Sequence, residues 1–173
     1  VAFSLGTRGM VGGPSALGWR IEAVQRFGFS GDVFDWMVQN NRWPLEHVMR
    51  LVTYPFVHGN FTHSLFAGAM LLALGKMVGE AFSALATLAL FFISSAVGAV
   101  AYGFLLNDPN YLIGSFPAVY GLIGAFTYLL WLRLGETGAQ QSRAFTLIGF
   151  LLGIQLIFGI LFGGGSDWLA DLA

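Results

Sequence analysis

The amino-acid sequence predicts an all-α protein, a bundle of helices that crosses a membrane several times. Of its 173 residues, 56% are hydrophobic and 10% are charged, whereas a soluble domain carries about 25% charged residues. The mean hydropathy is +0.71. The 24 glycines suit helices that pack closely against each other inside a bilayer. We therefore expect the bilayer, and not water, to surround most of the chain.

Four apolar stretches have about the length that a membrane helix requires, roughly 20 residues. They are Pro55–Val78, Phe82–Leu106, Leu112–Leu134 and Ala144–Phe162. The short apolar ends, 1–5 and 168–173, predict the tail of a preceding helix and the start of a following one. We thus expect a six-helix core whose first and last helices are truncated here, in a single domain spanning 1–173.

Residues 6–46 differ from the rest because they mix charged and aromatic side chains. This mixture is typical of segments at the membrane surface, where aromatic rings lie at the depth of the headgroups. Ser30 is a capping residue type followed by apolar positions at helical spacing, which predicts a short amphipathic helix. An ordinary interhelical loop is the alternative interpretation.

The short connections predict the orientation in the membrane. Lys76 with Glu80, and Arg133 with Arg143, lie in two alternate connections, while the connections around Asp108 and Asp167 contain no Lys or Arg. The positive-inside rule places the cationic connections in the cytoplasm, and segment 6–46 outside. A net charge of −1 gives no sign of a nucleic-acid partner, and the absence of cysteine excludes disulfides and thiol nucleophiles.

Residues 114–124 form the most informative motif, and they read Gly-Ser-Phe-Pro-Ala-Val-Tyr-Gly-Leu-Ile-Gly. The motif resembles the start of the nucleophile-bearing helix of rhomboid intramembrane proteases, Gly-x-Ser-Gly-Ala-x-Tyr-Gly-Leu-x-Gly. Phe116 stands at the position of the serine and Pro117 at that of the next glycine. The retained frame consists of Gly114, Tyr120, Gly121 and Gly124. A phenyl ring has no proton to lose, so the resemblance implies a protease scaffold without its nucleophile.

A second motif resembles the family pattern His-x4-His-x3-Asn on the second helix. His58 and His63 are in register, but Ala67 stands at the asparagine position and offers no hydrogen-bond donor. The resemblance implies that His63 lies on the oxyanion side and that His58 anchors the loop. Alternatively, both histidines only bond to loop carbonyls where the helix begins. Arg50 matches the arginine of the family's Trp-Arg loop signature, with Met49 at the tryptophan position, and we expect it to bind loop carbonyls.

The catalytic base of the family is a histidine on the last helix, within Ala-His-x-x-Gly. Ala170-Asp171 is the best match, so Asp171 would replace the base. The alternative is that Asp171 is a polar residue where a helix begins. The resemblance covers residues 43–134 well and the remainder loosely.

Ser115 precedes the lost nucleophile by one position. A shift of one residue turns a helical side chain by about 100°, and Pro117 suits the first turn of a helix. We therefore expect Ser115 to act as an N-cap and not as a nucleophile. Phe116 and Tyr120 lie four residues apart, on one helical face, and are expected to fill the former cavity as a hydrophobic plug.

Small residues predict close contacts between helices. Gly121 with Ala125 and Gly75 with Gly79 have small-xxx-small spacing. Gly121 and Gly124 are the strongest candidates, because they also match the rhomboid frame.

We therefore expect a non-catalytic rhomboid-like membrane protein with no cofactor and no metal. Its expected partners are lipids and the transmembrane helices of other integral membrane proteins, within a larger complex, and its expected location is the bacterial cytoplasmic membrane. The first alternative is an active intramembrane serine protease with displaced groups, such as Ser115 with His63. The second, a carrier or channel for small molecules, receives little support, because the spans hold few ionisable residues beyond His58 and His63.

Overall fold

The computed structural model describes residues 18–59, 61–105, 110–146, 148–150 and 153. The described part is mostly helical, as the sequence predicts. Outside the membrane spans, the helices are α1 (Trp19–Phe27), α2 (Gly31–Asn40), α3 (Leu45–Val48) and α4 (Arg50–Thr53). Three long helices follow: α5 (Phe61–Ala81), α6 (Ala84–Leu105) and α7 (Phe116–Glu136). Short 3-10 turns cover Tyr54–Phe56 and Gln141–Phe145.

Three of the four predicted spans have counterparts among the described residues. His63–Ala81, Ala84–Leu105 and Phe116–Glu136 are long and apolar enough to cross a membrane. Most of the fourth predicted span, together with Asp108, Asp167 and Asp171, lies outside the described residues.

Two predicted boundaries are wrong. The first long helix begins at Phe61 and not at Pro55, because a 3-10 turn containing Pro55 leads into an irregular loop. The third begins at Phe116 and not at Leu112, because Leu112 belongs to a strand. The two short strands, β1 (Phe29–Ser30) and β2 (Tyr111–Leu112), pair antiparallel with Phe29 opposite Leu112. Two-residue strands show no alternation that a sequence pattern could reveal.

The amphipathic helix predicted after Ser30 is confirmed as α2. The Ser30 hydroxyl accepts a hydrogen bond from the Val33 N–H at 3.4 Å, which caps the helix. Phe34 and Met37 are buried on its inner face. Phe34 packs directly on α6, where a Cβ added at Gly103 would lie 2.5 Å from the Phe34 ring.

Two apolar clusters hold the described elements together. We call residues 18–59 the outer segment, because they precede the membrane spans. The first cluster joins the outer segment to α6 and contains Phe29, Phe34, Met37, Tyr54, Ala99, Tyr102 and Leu112. The second joins α5 to α7 and contains Leu74, Val78, Val119, Leu122 and Ile123. Glu80 and Arg133 line one cleft between α5 and α7, so these predicted cytoplasmic groups lie at the same end of the bundle.

A buried tyrosine fastens the outer segment to α6. The Tyr54 hydroxyl donates a 2.7 Å hydrogen bond to the Ser95 carbonyl, and neither residue is exposed. Replacing Tyr54 with Phe should lower the free energy of unfolding by about 1 kcal/mol, because the buried carbonyl loses this donor. Thermal unfolding in detergent measures the effect. Tyr128→Phe is the matched control, since Tyr128 is 52% exposed; equal losses in both variants would contradict the assignment.

Candidate functional site

The two predicted motifs meet where α5 and α7 begin. The ring of Phe116 stacks on that of His63, with centroids 5.1 Å apart and planes at 23°. His58 meets His63 edge to face, at 5.2 Å and 80°. The sequence therefore identified three side chains that the fold brings together. We call His58, His63, Ser115 and Phe116 the histidine cluster.

Gly114 allows the histidine cluster to close. Its φ of +100° lies in the region that glycine adopts at little cost. A Cβ at this position would stand 2.7 Å from both Cε1 and Nε2 of His63. The imidazole thus lies against a backbone that carries no side chain. The Gly114 N–H also donates to the Tyr54 carbonyl at 3.2 Å, which ties the start of α7 to the outer segment.

Ser115 occupies the N-cap position of α7, as predicted, but its hydroxyl makes no capping hydrogen bond. It lies instead 3.4 Å from His58 Nε2, and the residue is 1% exposed. The pairing with His63 considered from sequence is thus replaced by an approach to His58. Capping is unnecessary in part because Pro117, near the start of the helix, has no N–H that needs an acceptor.

His58 lies in the loop outside the membrane spans and is half-buried. Burial lowers the pKa of its imidazole below the ordinary value of 6.5, while a hydrogen bond with the Phe56 backbone opposes the shift. The neutral ring is therefore favoured at pH 7. A neutral imidazole that donates from one nitrogen accepts at the other, so the Ser115 hydroxyl can donate to Nε2.

The lowered pKa of His58 predicts a loss of stability in acid. A group whose pKa is lower in the folded state contributes stability above its unfolded pKa, and loses it as the pH falls towards the folded value. The midpoint of thermal unfolding should therefore begin to fall near pH 6.5 and continue falling below it. His58→Gln should flatten this dependence, because an amide does not titrate there. Identical slopes for both proteins between pH 7.5 and 5.5 would refute this role of His58.

The loop that carries His58 is held by α1. An N–H of the Arg20 guanidinium donates to the Gly59 carbonyl. The Thr53 hydroxyl donates to the Phe27 carbonyl at 3.0 Å, which fixes the other end of the helix. The sequence predicts carbonyl binding by Arg50. Its Nε has no hydrogen-bond partner within the described residues, so this role of Arg50 stays a prediction, and Arg20 makes the carbonyl contact of this loop.

The remaining frame positions have unequal roles. Ala67 is fully buried, at the position where the family asparagine would stand. Tyr120 packs against the α5–α7 cluster, and the hydrophobic plug that it would form with Phe116 stays a prediction.

Gly121 lies at a close contact between α6 and α7, because an added Cβ would overlap the Ser94 hydroxyl. Within the described residues, nothing lies within 4 Å of such a Cβ at Gly124, so no close contact is found there.

The Gly75 and Gly79 pair also makes no close contact with the part of the chain that the structure describes. Among those residues, nothing lies within 4 Å of a Cβ added at Gly75, and at Gly79 the nearest atom is Thr87 Oγ1, at an ordinary 3.4 Å.

The described residues hold no group of three His, Asp or Glu side chains placed to bind a metal ion. The chemistry of the histidine cluster is thus that of two imidazoles, one buried hydroxyl and one phenyl ring. No phenyl ring can act as a nucleophile, and the only hydroxyl in the cluster is shielded from water.

Comparison with known proteins identifies the family. The model of the rhomboid domain family matches residues 45–173, which includes both motifs. No curated protein and no solved structure matches the chain significantly. The family match covers most of the chain, and three helices among the described residues could span a membrane; the protein is thus an integral membrane protein that belongs to the rhomboid family.

Proposed function

We propose that the protein is a non-catalytic rhomboid-family member that binds transmembrane segments of other membrane proteins and acts in the assembly of a complex. The observation that carries the proposed loss of catalysis is the Phe116 ring, stacked on His63 at 5.1 Å. It occupies the position from which a serine oxygen would attack. Ala67 removes a donor that would stabilise an oxyanion, because its methyl group forms no hydrogen bond.

The proposed binding of other transmembrane segments rests on the apolar surface of the spans. Only 17% of the most apolar stretch is buried in each of α5 and α6, and 28% in α7. Large side chains remain open to lipid or to other helices on α5 (Leu65, Phe66, Leu72) and on α6 (Leu85, Leu88, Ile93). Helices associate in membranes through such packing. A fold that has lost its chemistry keeps these surfaces.

Affinity purification in mild detergent tests the binding role. We expect a stoichiometric membrane partner to be recovered with the full chain. Two triple-alanine variants, of the three exposed α5 side chains or of the three exposed α6 side chains, should then differ in recovery and so locate the surface. The protein purified alone, with no partner under any mild condition, would argue against a scaffold role.

A displaced serine hydrolase is the second candidate, because the Ser115 hydroxyl lies 3.4 Å from His58 Nε2. That separation is long for a hydrogen bond, and the 1% exposure of Ser115 leaves no room for a substrate carbonyl. We therefore expect no labelling by a serine-directed fluorophosphonate and no cleavage of a reconstituted helical substrate. Labelling that disappears in Ser115→Ala and His58→Gln would establish the hydrolase instead.

We also propose that the host membrane is the bacterial cytoplasmic membrane. Seven of the eight Lys and Arg residues are arginine, a usage that accompanies GC-rich bacterial genomes. The cationic Lys76, Arg133 and Arg143 would then face the cytoplasm. Cysteine labelling from either side of intact cells, at Glu80 and at Asp35, tests this orientation: reagent added outside should reach only position 35.

A further inference from the structure

We propose that a shallow cavity between α2 and α3 binds the ammonium headgroup of a membrane phospholipid. The cavity has a volume of about 230 Å³ and is lined by Asp32, Val33, Trp36 and His47. It shares no residue with the histidine cluster. The lining combines one carboxylate with two aromatic rings, and it contains no Lys or Arg.

The side chains match a cation. Asp32 and Trp36 lie four residues apart on α2, so they share one side of the helix. Trp36 is 43% exposed and meets the His47 ring at 6.4 Å and 84°. An indole face attracts ammonium groups, and the Asp32 carboxylate supplies the opposite charge. The Glu46 carboxylate, which does not line the cavity, lies 3.6 Å from His47 Nε2.

The cavity lies near the end of a membrane span, and this position favours a lipid as the source of the cation. Phe34 on the inner side of α2 meets Phe104 at 5.1 Å, near the end of the membrane-spanning helix α6. Trp43, 51% exposed, lies 6.3 Å from Phe34. Exposed tryptophans at the end of a span mark the level of the headgroups. Ethanolamine and choline headgroups carry ammonium there, whereas glycerol headgroups carry only the negative phosphate.

Native mass spectrometry of the purified full chain can measure lipid retention. Detergent micelles are titrated with phosphatidylethanolamine, phosphatidylcholine or phosphatidylglycerol, and soluble ethanolamine serves as a separate arm. We expect saturable binding of an ammonium lipid, with phosphatidylglycerol retained much more weakly. Preference between the first two lipids identifies the headgroup. Ethanolamine bound as tightly as the lipid would overturn the assignment to a membrane lipid.

Substitutions in the cavity lining test whether the lipid is retained at this cavity. Asp32→Asn should weaken binding about tenfold, because a charge-assisted contact is lost. Trp36→Leu should weaken it roughly threefold, because a cation-π contact at an exposed site is lost. Asp35→Asn removes the same charge from the same helix outside the cavity lining, and should bind as the unmodified protein does. Thermal unfolding shows that each variant is folded. Equal effects of Asp32→Asn and Asp35→Asn, or equal retention of phosphatidylglycerol, would overturn the proposal.

Discussion

Replacing Gly114 with alanine should destabilise the protein by about 3 kcal/mol or more. Two costs add at this position. A φ of +100° strains any residue that has a Cβ, by about 1–3 kcal/mol. The new methyl group would also lie 2.7 Å from the His63 ring, and overpacking of this kind costs a further 1–3 kcal/mol. The imidazole must therefore leave its place, and the stack with Phe116 opens.

The two costs can be separated with Gly138. Its φ is +67°, and no described residue lies within 4 Å of an added Cβ, so Gly138→Ala should lose only about 1 kcal/mol of backbone energy. Adding His63→Ala to Gly114→Ala should restore the stability that the steric clash removes, because the clashing ring is gone. Denaturant unfolding in detergent, followed by helical signal, measures all four proteins. Equal losses at positions 114 and 138 would show that His63 does not press on Gly114.

Much of the histidine cluster could be predicted from sequence because its information is local. The spacing of His58 and His63 and the frame around Phe116 each lie within about ten residues, and the family match covers both. Helical length and composition likewise predicted the three described spans. These features depend on the spacing of residues within one helix, and the sequence shows that spacing directly.

Contacts between distant segments could not be predicted in the same way. The Ser115 hydroxyl meets His58 across 57 positions, and Arg20 binds the Gly59 carbonyl across 39. Both depend on how α1 and the outer segment dock on the membrane helices. The sequence around Arg20 gives no sign of this contact. Arg50 has the motif position, but within the described residues its Nε has no hydrogen-bond partner.

Gly121 and Gly124 illustrate the same limit on one helix. Both match the family frame, yet within the described residues only Gly121 lies close to a neighbouring helix. A Cβ at Gly121 would overlap the Ser94 hydroxyl and lie 2.5 Å from the Ser94 Cβ. The spacing places two small residues three apart, and the position of α6 decides which of them is needed.

Replacing Gly121 with alanine should consequently force α6 and α7 apart. Overpacking costs about 1–3 kcal/mol and outweighs the gain of up to about 1 kcal/mol that alanine brings to a helix interior. Gly124→Ala, three positions along the same helix, should show that gain alone and unfold at a slightly higher temperature. The two variants are therefore expected to differ in sign, although each adds a single methyl group.

The double variant Gly121→Ala/Ser94→Gly identifies the contact responsible. Removing the Ser94 side chain opens the space that the new methyl group requires, so the double variant should recover most of the stability that Gly121→Ala loses. Coupling of this kind arises between residues in contact and is small for distant, independent sites. If the two substitutions proved additive in thermal unfolding, the close crossing of α6 and α7 at this point would be wrong.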